Sequence, residues 1–328
     1  MACISYHWCR LIHHKLKQIC GTCINTITVV IRAYNAEKYI SEALWSVLEN
    51  LNTLKKEMVG EVLVCYDKGS QDNTYSILKR FSSKYPELIH VIEHEHMSAP
   101  EALFYCLNRA HSTYIFLLDY DDLYPIEHVR KTVSVLSNYS NAFGFTRIYF
   151  IDDVTKRLRG TSKIPADPTD ILNLLKVNYV GTSSICVQSE CLRKILATIE
   201  KLPKIIIPYI HEDWLIALLA FKECVPVFIQ NSYVFYRIHS RHRSAVQSTD
   251  SLKLVYDYSR DLITLLAFAR LERNKLSTFE WRAIEQGLLL RFHSIAKSIG
   301  KDFSSLSLFT IYYRFIDAIK RLIRDKEN

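Results

Sequence analysis

In the stretch Tyr114-Ile-Phe-Leu-Leu-Asp-Tyr-Asp-Asp-Leu-Tyr-Pro125, an apolar run ends in three carboxylates, Asp119, Asp121 and Asp122. A hard divalent cation such as Mg2+ takes carboxylate oxygens, one or two from protein and the rest from water and phosphate. Asp119 and Asp121, two positions apart in a turn after a strand, are spaced to converge on one such ion, with Asp122 close by. A calcium EF-hand is excluded, because a loop starting at Asp119 would need Gly and Glu where the chain has Tyr124 and Arg130. The bland alternative is an acidic turn that only ends a strand and opens a helix near Pro125.

Two more polar turns follow apolar runs: Arg32-Ala-Tyr-Asn35 and Tyr66-Asp-Lys-Gly-Ser-Gln-Asp72. The pattern predicts strands at 27–31, 61–66, 88–93 and 114–118, alternating with helices at 37–50, 72–84, 100–110 and 126–137. Continuous apolar strands separated by amphipathic helices imply an α/β fold with a mainly parallel central sheet and helices on both faces. In such sheets ligands gather beyond the carboxyl ends of the strands, so all three turns fall on one rim. After about residue 140 the order is mixed, with strands expected at 142–151, 179–187 and 233–239 and helices at 189–200 and 212–221. Helices are then expected at 251–272, 279–298 and 305–325. The expected division is an N-terminal extension over 1–25, a main domain over 26–245 and a helical region over 250–328.

A hydrophobic share of 49% supports a large core and argues against wholesale disorder. The net charge of +8 favours anionic partners, while the absence of a long Lys/Arg block argues against nucleic acid. Residues 1–25 carry Trp8, Leu11, Ile12, Leu16 and Ile19 at helical spacing with Arg10, Lys15 and Lys17, and residues 305–328 form a second basic amphipathic segment. Each either packs on the main domain or lies on an anionic membrane surface. No run is long and apolar enough to span a bilayer, and the N-terminus lacks a signal peptide's apolar segment. The expected location is the cytoplasm, with peripheral attachment to the inner membrane face. Nine cysteines at irregular spacing, among them Cys65, Cys106, Cys186 and Cys224, read as reduced buried thiols.

The three rim motifs, followed by His211-Glu-Asp-Trp214 and Tyr236-Arg-Ile-His239, resemble in order the motifs of the family 2 glycosyltransferases, which have the GT-A fold. The resemblance spans about residues 26–245. It implies that Tyr34, Asn35 and Asp67 line a nucleotide pocket, joined by Asp119 and Arg237. It also implies that Asp119, Asp121 and Asp122, with His239, hold Mg2+ or Mn2+ against a donor diphosphate. Asp213 would be the general base toward the acceptor hydroxyl, with Glu212 beside it. The implied partners are a nucleotide-sugar donor, UDP-linked by family preference, and a glycan or lipid-linked acceptor in surface-polysaccharide synthesis.

Those roles suit the chemistry. Displacing a nucleoside diphosphate from an anomeric carbon builds negative charge that a divalent ion and cations such as Arg237, His239, Arg241, His242 and Arg243 can stabilise. A base on a separate element can approach opposite the leaving group, which inverts the anomeric centre. The chain departs from the family pattern at Lys68, where an Asp that often reads uracil is usual. The segment His96–Tyr114 also lacks the family's glycines and its Ala-Arg-Asn run. Two alternatives stand beside this reading. One is a non-catalytic nucleotide-sugar-binding relative. The other is a haloacid-dehalogenase-like phosphatase, disfavoured by Leu123 where Thr or Val is usual.

Overall fold

The computed structural model describes residues 25–54, 58–239 and 251–298. The basic segments expected over 1–25 and 305–328 lie outside the described residues, apart from Asn25. Strands β1 (Asn25–Ala33), β2 (Met58–Asp67), β3 (Ile89–His94) and β4 (Tyr114–Asp119) alternate with helices α1 (Ile40–Asn52), α2 (Thr74–Lys84), α3 (Ala99–Leu107) and α4 (His128–Leu136). These are the elements expected from the apolar periodicity. A capping box formed by Ser98 and Glu101, with Pro100 in the first turn, starts α3.

The second half supplies β5 (Ala142–Asp152), β6 (Leu158–Thr161), α5 (Ile171–Lys176), β7 (Ile185–Gln188) and α6 (Ser189–Ile199). It continues with α7 (Glu212–Glu223), β8 (Val225–Ile238), α8 (Ser251–Glu272) and α9 (Thr278–Ser298). The sheet order is β3-β2-β1-β4-β7-β5-β6, with β8 on β5. β1, β2, β3 and β4 pair in parallel, as do β5 and β8, while β7 runs antiparallel to both β4 and β5. The central sheet is thus mostly parallel.

The period-2 alternation of the strands divides the core between the two faces of the sheet. Ile27, Val29 and Ile31 of β1, with Val62 and Val64 of β2, pack among α1, α2 and α4. Val30, Leu63, Cys65, Ile115 and Leu117 face the other way, toward α3, α5, α6, α7, α8 and α9. Trp214 of α7 is fully buried in this second layer, and its indole N–H donates to the Leu174 carbonyl at 2.9 Å. Parity carries to the ends of the strands. Arg32 follows Val30, and Asp119 follows Ile115 and Leu117, so both leave the sheet on the α7 side.

Three expectations are corrected. The strand expected over 179–187 is shortened to β7, because Thr182–Ser184 form a 3-10 turn in which the Ser184 hydroxyl donates to the Gly181 carbonyl. β8 starts well before Tyr233, since a register shift accommodates the polar Gln230-Asn231-Ser232 that masked its alternation. The cysteines read as reduced thiols are partly paired: Cys65 with Cys106 and Cys191 with Cys224, at Cα separations of 6.1 and 5.7 Å. Tertiary packing sets each pair face to face, Cys65 on β2 against Cys106 on α3 and Cys191 on α6 against Cys224 after α7. Cys186 is buried and free.

Candidate active site

Parallel register brings the predicted rim together. Ala33 lies opposite Tyr66, Asp67 opposite His94, and Arg32 opposite Asp119. The motifs after β1, β2 and β4 therefore share one edge, and the first turn of α7 closes over it.

The contact that joins these pieces is made by Arg32. Its guanidinium donates to Asp119 Oδ1 at 2.7 Å, to Glu212 Oε1 at 2.6 Å and to the Ala99 carbonyl at 2.7 Å. A buried cation at the end of an apolar strand is costly unless it is paired, and here three acceptors surround it. Arg260 of α8 reaches the other oxygen of Glu212 at 3.3 Å and also donates to the Ile210 carbonyl. Burial alone would push the Glu212 carboxyl up, but Arg32 and Arg260 hold it down at about 2.

Its neighbour behaves oppositely. Burial, and then the Glu212 charge, push the Asp213 carboxyl up to about 6. Asp213 accepts the Trp214 backbone N–H at 2.7 Å. The residue before the pair, His211, is held by α8: its N–H donates to Thr264 Oγ1 at 2.8 Å, and its ring lies 3.3 Å from Asp261 Oδ1. The start of α7 is thus fixed by β1 on one side and α8 on the other.

Asp121 and His239 form the second group. Asp121 Oδ2 lies 2.9 Å from His239 Nε2, and the imidazole stacks on the Tyr39 ring. Cis ligands about 2.1 Å from an octahedral ion lie roughly 3 Å apart, so this pair has the spacing of two ligands on one hard cation. Among the described residues no group of three or more His, Cys, Asp or Glu side chains is arranged to hold a metal. Mg2+ is commonly held through one or two carboxylates with phosphate and water completing the shell, and of this pair Asp121 supplies the carboxylate.

The remaining predicted ligands are placed differently. Asp122 is buried, taking the Ser183 hydroxyl at 2.5 Å and the Arg237 N–H at 3.1 Å. Burial and the neighbouring Asp121 and Asp119 raise its carboxyl well above the usual range. Asp122 therefore ties the loop to β8 and to Ser183. Arg237 is likewise turned inward: fully buried, it donates to the Asp121 carbonyl at 2.8 Å and pairs with Glu42 and Asp153. These contacts hold the Asp121 loop in place. Arg241, His242 and Arg243 lie outside the described residues.

Further along the rim, Tyr34 is 42% exposed and its ring lies 5.0 Å from that of His96. His96 Nδ1 is 3.0 Å from Asp67 Oδ2, and Asp67 Oδ1 accepts the Gly69 N–H at 2.8 Å. Asn35, at positive φ, accepts the Gln71 N–H at 2.8 Å and joins the first two motifs. Lys68 pairs with Glu95.

Sequence reading found the carboxylates and missed Arg32, Ser183, His96 and Arg260. For Arg32 a signal was present, a charge at a strand position whose parity points it inward. The Arg32 bridge predicts a pH signature. A carboxyl whose folded pKa is depressed adds stability above its ordinary pKa of 4.5 and loses it as the pH falls toward about 2. Arg32→Met should lower stability near neutral pH by about 3–5 kcal/mol. It should also flatten the loss between about pH 5 and pH 3 in urea unfolding, with Arg32→Lys partly restoring both. Equal acid losses in the wild type and Arg32→Met would show that Arg32 does not hold Glu212.

The family model described as Glycosyl transferase family 2 matches residues 28–196. A putative teichuronic acid biosynthesis glycosyltransferase of Bacillus subtilis is 31% identical over 121 residues, which is 37% of this chain and 45% of that protein. A putative glycosyltransferase, EpsE, of the same organism is 27% identical over 34% of this chain and 39% of its own length. The matched stretches thus span less than half of either relative. Among solved structures, the Pyrobaculum calidifontis mannosyltransferase in complex with GDP-Man and Mn2+ aligns with a TM-score of 0.54 at 15% identity, over 97% of this chain and 89% of that one. The S. aureus TarS fragment in complex with UDP aligns with a TM-score of 0.51 at 16% identity, over 86% and 72%. At such identities the structural likeness establishes the fold alone. With the family motifs covering more than half its length, this chain belongs to glycosyl transferase family 2.

Proposed function

We propose that the protein is an inverting, divalent-cation-assisted glycosyltransferase. It moves a sugar from a nucleoside diphosphate sugar to a hydroxyl of a glycan or lipid-linked acceptor, in the synthesis of a cell-surface polysaccharide. The observation that carries this reading is Asp213. It is a carboxylate tuned to about 6, placed at the rim on α7, an element separate from the Asp121–His239 pair. The names of the curated relatives support the polysaccharide context, and the structural neighbours in complex with UDP or with GDP-Man and Mn2+ support a nucleotide-sugar donor.

The reaction follows from the residues. The acceptor oxygen attacks the anomeric carbon as Asp213 takes its proton, and the bond from that carbon to the diphosphate oxygen breaks. Attack from the α7 side, opposite the leaving group, inverts the anomeric centre. Glu212 stays ionised between Arg32 and Arg260, and its charge keeps Asp213 basic enough to accept a proton near neutral pH. Asp121 and His239 would hold Mg2+ or Mn2+, which would supply positive charge against the diphosphate as it leaves. The Arg237 contacts keep the Asp121 loop still while this happens.

Transfer should rise with pH through about 6, as Asp213 ionises, in a kcat profile. Asp213→Asn should retain donor binding and lose about 10²- to 10⁴-fold in kcat. Transfer that survives this change would place the base elsewhere. Asp121→Ala should remove the dependence of nucleotide affinity on Mn2+ in a calorimetric titration, and a retained metal response would move the ion to another site.

We propose that the protein attaches peripherally to an anionic membrane face. The support is the basic amphipathic sequence of residues 1–25 and 305–328. No helix among the described residues is long and apolar enough to cross a membrane. Flotation with anionic vesicles should be lost when residues 305–328 are removed, and unchanged flotation would end the role given to that segment.

A further inference from the structure

One cluster on the rim has no part in the transfer chemistry. At the carboxyl ends of β1, β2 and β3, the Tyr34 and His96 rings form an exposed aromatic shelf. Beside it stand Lys68 and Glu95 in contact with each other, with side chains 44% and 82% exposed. The Lys68 N–H donates to the His94 carbonyl at 3.0 Å, which sets the Lys68–Glu95 pair next to the Asp67–His96 contact. Gly69 keeps the turn tight, since a Cβ there would come within 3.0 Å of the His96 Cβ. An ion pair this exposed adds little to stability, so it does not act as a staple for the fold. Both side chains are free to turn toward a ligand stacked on the shelf.

The chemistry of the pair is a cationic donor next to two carboxylate acceptors. A guanine edge presents the complement: the O6 acceptor beside two adjacent donors, N1–H and the N2 amino group. A uracil edge has a single N3–H between two carbonyls, so a carboxylate meets one proton while its second oxygen faces a carbonyl. Cytosine and adenine each offer one amino donor with acceptors beside it. Only guanine satisfies both carboxylate oxygens and the ammonium together.

We propose that Lys68 and Glu95, flanking the Tyr34–His96 shelf, select a guanine nucleotide as the donor. The inference rests on the donor-site reading above, and deepens it by naming the base. Isothermal titration of the full chain with GDP, UDP, CDP and ADP, each with Mn2+, tests it. GDP should bind at least about tenfold more tightly than UDP. Glu95→Gln, which turns one acceptor into a donor, should bring GDP and UDP to within about threefold by weakening GDP alone. Lys68→Met should likewise weaken GDP more than UDP. UDP binding equal to or tighter than GDP in the wild type overturns the inference and leaves the donor site standing. Equal weakening of both nucleotides by Glu95→Gln also overturns it. Failure of all four nucleotides to bind overturns the base assignment and the donor-site reading together.

Discussion

The Arg32 guanidinium is the contact on which the site depends. It joins Asp119 at the end of β4 to Glu212 at the start of α7, residues that lie 87 and 180 positions from it in sequence. Neither partner is optional. An unpaired buried cation costs several kcal/mol, and two carboxylates left facing each other would repel. The side chain therefore acts as a ruler between the end of β4 and the start of α7, and it sets where Asp213 stands relative to the rim. Arg260 closes the arrangement from behind, drawing α8 against the same carboxylate. The C-terminal helices thereby belong to the site's support, although the family motifs stop before them.

Much of the fold was legible because it rests on local periodicity. Short, β-branched apolar runs such as Ile27–Ile31, bounded by polar turns and alternating with amphipathic helices, read as buried parallel strands with helices covering them. The rim position of the three polar turns follows from topology alone. The failures came where tertiary contact overrides local pattern. Gln230-Asn231-Ser232 reads as a break, yet β5 carries the strand through it by a register shift. Cys65 and Cys106 stand 41 residues apart, and nothing short of the packing of α3 on β2 brings them together.

In the site, residue type was readable and side-chain direction was not. Asp119, Asp121 and Asp122 are chemically alike in sequence. In the fold the first meets Arg32, the second meets His239, and the third turns inward to Ser183. Directions inside a turn depend on backbone dihedrals that composition does not encode. The same holds for Arg237, whose motif suggests a phosphate ligand while its position on β8 points it into the buried space between Glu42 and Asp153. Strand parity did carry information, and for Arg32 it was sufficient: an even position in β1 sends it toward α7.

Two adjacent carboxylates, Glu212 and Asp213, show why the surrounding cations matter more than the acids themselves. Both begin the same helix, where its dipole favours negative charge. One is pulled down to about 2 by Arg32 and Arg260, and the other is pushed up to about 6 by burial and the Glu212 charge. An ionised Glu212 is then part of what raises Asp213. If Arg32 and Arg260 served Asp213 instead, its carboxylate would be too weak a base to take a proton from a hydroxyl. The placement of two arginines on Glu212 thus separates two neighbouring carboxyls into one held ionised and one raised, which is what the proposed division of roles requires.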